Sequence, residues 1–139
     1  MENNKQLNVL VAAAPESIGP ITEALSGEFE IDFVTSLTEA ASYSYEQTDV
    51  IVCGLYFDES RMFDLLRYTQ LHPHARTLPF ICMSVVEHNL SATLTQGIEI
   101  ACRALGGVGF VDLNRWYAEF GVSSAHTRVQ QLIRNVARP

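Results

Sequence analysis

Residues 49–67 read DVIVCGLYFDESRMFDLLR. Asp49 to Cys53 is an apolar run too short for a helix, so it reads as a strand buried on both sides, and Gly54 closes it. A loop with Asp58 and Glu59 leads into a helix predicted from Ser60 to about Leu71, where Met62, Phe63, Leu65 and Leu66 supply the apolar side and His72-Pro73 the stop. The carboxyl end of a buried strand is where open α/β sheets place their chemistry. Glycine brings no functional group to that place.

The rest of the chain repeats the unit. LNVLVAAA (7–14) is a second buried strand, and Pro15 opens a helix in which Ile18, Ile21 and Leu25 recur until Gly27. FEIDFVTS follows as a strand, with Phe29, Ile31 and Phe33 alternating against Glu30 and Asp32. Ser36 or Thr38 caps a helix from Leu37 to about Gln47. PFICMSVV (79–86) is a fourth strand. A helix from Leu94 to Leu105 carries Leu94, Ile98, Ala101, Cys102 and Leu105 on one stripe and ends at Gly106-Gly107. VGFVDL is a fifth strand. Asn114 to Phe120 forms one or two helical turns before Gly121, and Ser123 or Ser124 caps a last helix lined by Ala125, Val129, Leu132, Ile133 and Val136. Buried strands alternating with helices predict an α/β fold: a five-stranded parallel sheet, doubly wound, covered by helices on both faces in a three-layer sandwich.

With 139 residues, 47% of them hydrophobic and 18% charged, the chain is expected to form a single globular domain over residues 1–139. The net charge of −7 argues against nucleic acid as a partner. The charge is uneven: five of the nine basic residues (Arg103, Arg115, Arg128, Arg134, Arg138) lie beyond residue 100, with only Asp112 and Glu119 as acids there. The simplest reading of those arginines is a solvated helix face. No apolar run approaches the roughly 20 residues that span a bilayer, so no membrane is expected as a partner. Cys53, Cys82 and Cys102, odd in number and without a CxxC, fit a reducing cytoplasm.

The opening segment resembles the receiver domain of bacterial response regulators, the flavodoxin-like chemotaxis-receiver fold. Receivers have a strand ending in the phosphoacceptor aspartate, then a loop and helix of the form D-L-M-M-P-x-M-D-G-x-E-L-L-R. G-L-Y-F-D-E-S-R-M-F-D-L-L-R, from Gly54 to Arg67, lies on it without a gap. PFICMS resembles the fourth receiver strand, with Ser84 in its hydroxyl position, and Phe110 takes the place of the switch aromatic on the fifth. The resemblance implies a degenerate phosphoacceptor pocket. Gly54 stands for the aspartate, Ala13 and Ala14 for the acidic pair that holds Mg²⁺, and Leu113 for the lysine, so only Ser84 keeps a reactive group.

Phosphoryl transfer to an aspartate needs a carboxylate nucleophile, a divalent cation and a positioned positive charge. These residues supply none, so no aspartyl phosphate, no metal, no cofactor and no catalytic residue is expected. Asp58 and Glu59 are read as solvated loop acids. No output domain is expected after residue 139, so any effect is expected to pass through association. The expected partner is a signalling protein, a histidine kinase or another regulator, or a second copy of the chain.

The expected contact residues are Phe110, Arg115, Trp116, Tyr117, Phe120 and Arg128, with Trp116, Tyr117 and Phe120 equally readable as the packing that anchors an inserted turn. Receivers meet partners on that side, and the interval of 29 residues from Ser84 to Leu113, against the low twenties usual in receivers, enlarges it. The alternative is a sensor in which the space at Ala13, Ala14, Gly54 and Ser84 takes a small ligand.

Other groupings carry less. His72 and His74 form an H-x-H on a loop without further ligands. His88 and His126 are isolated. GGVGF precedes a strand, whereas nucleotide-binding glycines follow one. Cys82 shares the direction of Ser84, whereas Cys53 is offset by one from Gly54, so the two thiols are expected on opposite sides of the sheet.

Overall fold

The apolar run after residue 6 forms β1 (Asn8–Ala12), and Pro15 opens α1 (Pro15–Leu25), where its missing N–H costs no hydrogen bond. This is a computed structural model describing residues 6–25, 27–85 and 90–137. The chain continues through β2 (Glu30–Val34), α2 (Leu37–Ser42), β3 (Val50–Gly54), α3 (Phe57–Ser60), α4 (Met62–Leu71), a 3₁₀ turn (Ala75–Thr77), β4 (Phe80–Ser84), α5 (Ala92–Ala104), β5 (Gly109–Asp112), α6 (Leu113–Phe120) and α7 (Val122–Val136). The strands form one sheet in the order β2-β1-β3-β4-β5, every pair parallel. This is the doubly wound, three-layer sandwich.

Alternation along the strands builds two cores. Val9, Val11, Val50, Val52, Ile81, Met83 and Val111 face α1 and α7, against Ile21, Leu25, Val129 and Ile133. Leu10, Ala12, Ile51, Cys53, Phe80 and Cys82 face the other way, against Met62, Leu65, Leu66, Ile98 and Cys102. Each fully buried Leu or Ile contributes roughly 1.5–3 kcal/mol of transfer free energy, so these layers outweigh the surface ion pairs.

Several elements differ from expectation. α2 stops at Ser42, because Tyr43 turns extended and the buried Tyr45 hydroxyl donates to Ala40 O at 2.8 Å. Its cap is Ser36, which accepts from the Glu39 N–H. Phe33 does not pack inward as read: β2 is an edge strand, and Phe33 is 43% exposed. The helix predicted from Ser60 begins at Met62. Before it, α3 is a tight turn with Asp58, Glu59 and Ser60 at φ of 45°, 58° and 67°, a left-handed run costing roughly 1–2 kcal/mol per residue. α5 is capped by Ser91, and Leu94 lies exposed rather than on the buried stripe. α7 has no side-chain cap; Gly121, at φ 82°, makes the turn into it instead of Ser123 or Ser124. β4 ends at Ser84, short of Val85, and the last residue of the predicted fourth strand, Val86, and His88 fall outside the described residues.

Candidate functional site

The pairing of β3 with β4 decides the site. Cys53 lies opposite Cys82, and Gly54 opposite Met83, so Ser84 stands one step beyond Gly54 and faces the other side of the sheet. The positions read as one pocket therefore divide. Ala13 and Leu113 belong to the core beneath α1 and α7, which Gly54 also faces, whereas Ser84 points with Cys82 toward the opposite core. The same register corrects the expectation for the thiols: Cys53 and Cys82 share a face.

At Gly54 the strand end packs against Ala13. A Cβ on Gly54 would meet Ala13 Cβ at 3.5 Å, an ordinary contact. Ala13 is fully buried, and Ala14 and Leu113 are 8% and 1% exposed. A cleft of about 500 Å³ does open at this end of the sheet, between Ala14, Glu16, Thr35, Tyr56, Asp58 and Glu59, but it touches neither Gly54 nor Ser84. Asp58 does not reach toward Gly54; its Oδ2 accepts the Leu37 N–H at 2.8 Å at the start of α2. Among the described residues no group of three His, Cys, Asp or Glu side chains is placed to hold a metal ion.

Ser84 Oγ and Asp112 Oδ2 are buried without a hydrogen-bond partner among the described residues, on register neighbours of β4 and β5. Asp112 Oδ1 accepts the Arg115 N–H at 3.3 Å and caps α6. An unpaired buried hydroxyl costs about 1–3 kcal/mol of desolvation. Ser84→Ala is therefore expected to leave stability unchanged or raise it by about 1 kcal/mol in urea melts; a loss larger than that would mean the hydroxyl has a partner.

The second set of residues lies on the far side of β5. Leu113, Trp116, Tyr117 and Phe120 recur at helical spacing along α6; Leu113 is buried and Trp116 half-buried against the same core. The Trp116 and Phe120 rings meet edge to face at 6.3 Å, and the Arg128 guanidinium of α7 sits 3.7 Å from the Phe120 ring centre. That cation–π stack makes one outward patch from two helices. Phe110 and Trp116 wall a cavity of about 230 Å³ together with Glu99 and Arg103 of α5 and Leu132 of α7.

Tyr117 does not join the patch. Its hydroxyl meets His126 Nε2 at 2.7 Å, and burial, with the Glu23 carboxylate near, raises its pKa. Arg115 is half-buried at the start of α6, where its backbone N–H serves the Asp112 cap.

Sequence reasoning missed Glu99 and Arg103. Glu99 accepts the Phe110 N–H at 2.9 Å and also pairs with the Arg103 guanidinium, so one carboxylate covers a donor on the open edge of the sheet. Their i, i+4 spacing was the available signal. His72 Nδ1 accepts the N–H groups of His74 and Ala75 at 3.1 Å, which makes the H-x-H a turn cap.

No protein-family model and no curated protein matches the sequence. Solved structures do. The non-phosphorylated HemR receiver domain from Leptospira biflexa superposes with a TM-score of 0.67 at 18% identity, over 96% of this chain and 98% of that one. The fold is the receiver fold. The Mn²⁺-bound response regulator Rcp1 agrees at a TM-score of 0.68, 14% identity, and 96% and 99% coverage. A response regulator receiver domain from Rhodospirillum rubrum gives 0.66 at 14%, over 91% and 93%. In this chain the receiver fold carries no carboxylate at Gly54, Ala13 or Ala14 and no lysine at Leu113. No helix among the described residues is long and apolar enough to cross a membrane.

Proposed function

We propose that the chain is a phosphorylation-independent, receiver-fold signalling adaptor, without enzymatic activity, acting by protein–protein association. The observation that carries this reading is the contrast between the two sites. Where receivers phosphorylate, Ala13, Gly54 and Leu113 are buried among apolar side chains with no functional group. Where receivers meet partners, α5, β5, α6 and α7 hold Phe110, Trp116, Phe120 and Arg128 around one groove and patch. An aromatic and arginine cluster of this kind is enriched among residues that dominate binding energy. The partner is a signalling protein of the two-component type, a histidine kinase or another regulator, or a second copy of the chain.

Sedimentation of the pure chain, together with capture from native lysate, tests the reading. The expected result is self-association or a captured signalling protein, in either case lost when Phe120 and Arg128 are substituted. A monomer that captures nothing would overturn it. The packing of Ala13 against Gly54 gives no support to a ligand pocket there, so the sensor alternative is not carried forward.

A further inference from the structure

We propose that Cys82 and Cys102 form a reversible dithiol–disulfide pair that ties α5 to β4. The two sulfurs are 2.7 Å apart and both residues are fully buried, within about 0.7 Å of the roughly 2.05 Å of a disulfide bond. Cys82 lies on the strand and Cys102 on the helix above it, so the pair joins elements separated by twenty positions. Cys53 sits opposite Cys82 on the same face, but its thiol turns to the neighbouring Gly54 carbonyl at 3.6 Å.

The turn after α5 lies against the pair. A Cβ on Gly107 would fall 2.5 Å from the Cys102 sulfur, so that sulfur packs against a half-exposed glycine. Local opening of the Gly106-Gly107 turn gives a small peroxide access without unfolding the sheet. The Cys82 S–H, donating to the Cys102 sulfur, lowers the Cys102 pKa below that of an ordinary thiol, while the same bond and burial raise that of Cys82.

The reaction with hydrogen peroxide balances in two steps. The Cys102 thiolate attacks one peroxide oxygen, breaking the O–O bond to give a sulfenic acid and hydroxide, which takes up the proton that Cys102 lost. The Cys82 sulfur then attacks the sulfenic sulfur, forming the S–S bond; its proton and the departing hydroxyl leave as water. One peroxide is reduced to two waters and two thiols are oxidised. A cellular thiol reductant reverses the step, as expected of a disulfide that is transient rather than structural.

The test is peptide mapping of the full chain after graded hydrogen peroxide, with remaining thiols alkylated under denaturing conditions. The expected product is a single Cys82–Cys102 disulfide with Cys53 alkylated, reversed by dithiothreitol and unchanged in Cys53→Ala. Cys82→Ala should instead yield a sulfenic acid on Cys102 that dimedone labels. Three alkylated thiols at peroxide levels that fully oxidise an exposed dithiol control would overturn the proposal. So would a link through Cys53. The wild-type map decides alone if either variant fails to fold.

Discussion

A Gly54→Asp variant is expected to lose about 3 kcal/mol of stability and to remain unphosphorylated. Gly54 is buried at the end of β3, and a Cβ there fits against Ala13 at 3.5 Å. The carboxylate is then introduced at a buried strand end beside Ala13 and the Ala12 carbonyl oxygen, where Ala13, Ala14 and Leu113 bring no cation to compensate its charge. Gly54→Ala is the control. It adds the same Cβ at an ordinary contact distance, at a glycine that does not need positive φ, and should stay within about 1 kcal/mol of wild type. Paired urea melts measure the difference. A Gly54→Asp variant as stable as Gly54→Ala would show that the strand end is open to solvent and that the pocket has not closed.

The second large effect concerns association. Phe120→Ala combined with Arg128→Glu is expected to weaken binding to the partner, or to a second copy, by roughly 30-fold or more, since truncating a hot-spot residue costs about 2 kcal/mol. Both side chains are exposed and stack on each other rather than on the core, so the fold should survive. Trp116→Ala is expected to weaken binding as well, with some loss of stability because the ring also packs on the buried layer beneath α1 and α7. Titration calorimetry or sedimentation beside thermal melts separates the two effects. Wild-type affinity in a folded Phe120/Arg128 double variant would remove this face from the interface.

The fold was legible because β1, β3, β4 and β5 are short apolar runs, β2 alternates, and the longer helices repeat an apolar side. What failed was register. Apolar alternation fixes the faces within one strand, but which residue of β3 meets which of β4 is a property of the pair. Reading Gly54 as level with Ser84 placed five residues in one pocket and sent Cys53 and Cys82 to opposite faces; the observed pairing of Cys53 with Cys82 reverses both. The left-handed run at Asp58–Ser60 carried no sign in sequence, because none of the three is glycine. Among the surface residues, the Trp116–Phe120 spacing was readable along α6, whereas the meeting of Phe120 with Arg128 depends on how Gly121 folds α7 back.

The absence of phosphorylation chemistry is the claim on which the rest stands, and intact-mass measurement tests it directly. The wild-type chain is incubated with acetyl phosphate and Mg²⁺ beside a receiver that retains its aspartate. The mass of this chain is predicted not to change while the control gains one phosphoryl group, because Gly54, Ala13, Ala14 and Leu113 supply no nucleophile, no metal ligand and no cation. A stoichiometric phosphoryl adduct that hydroxylamine removes, as it removes an acyl phosphate, would contradict the account.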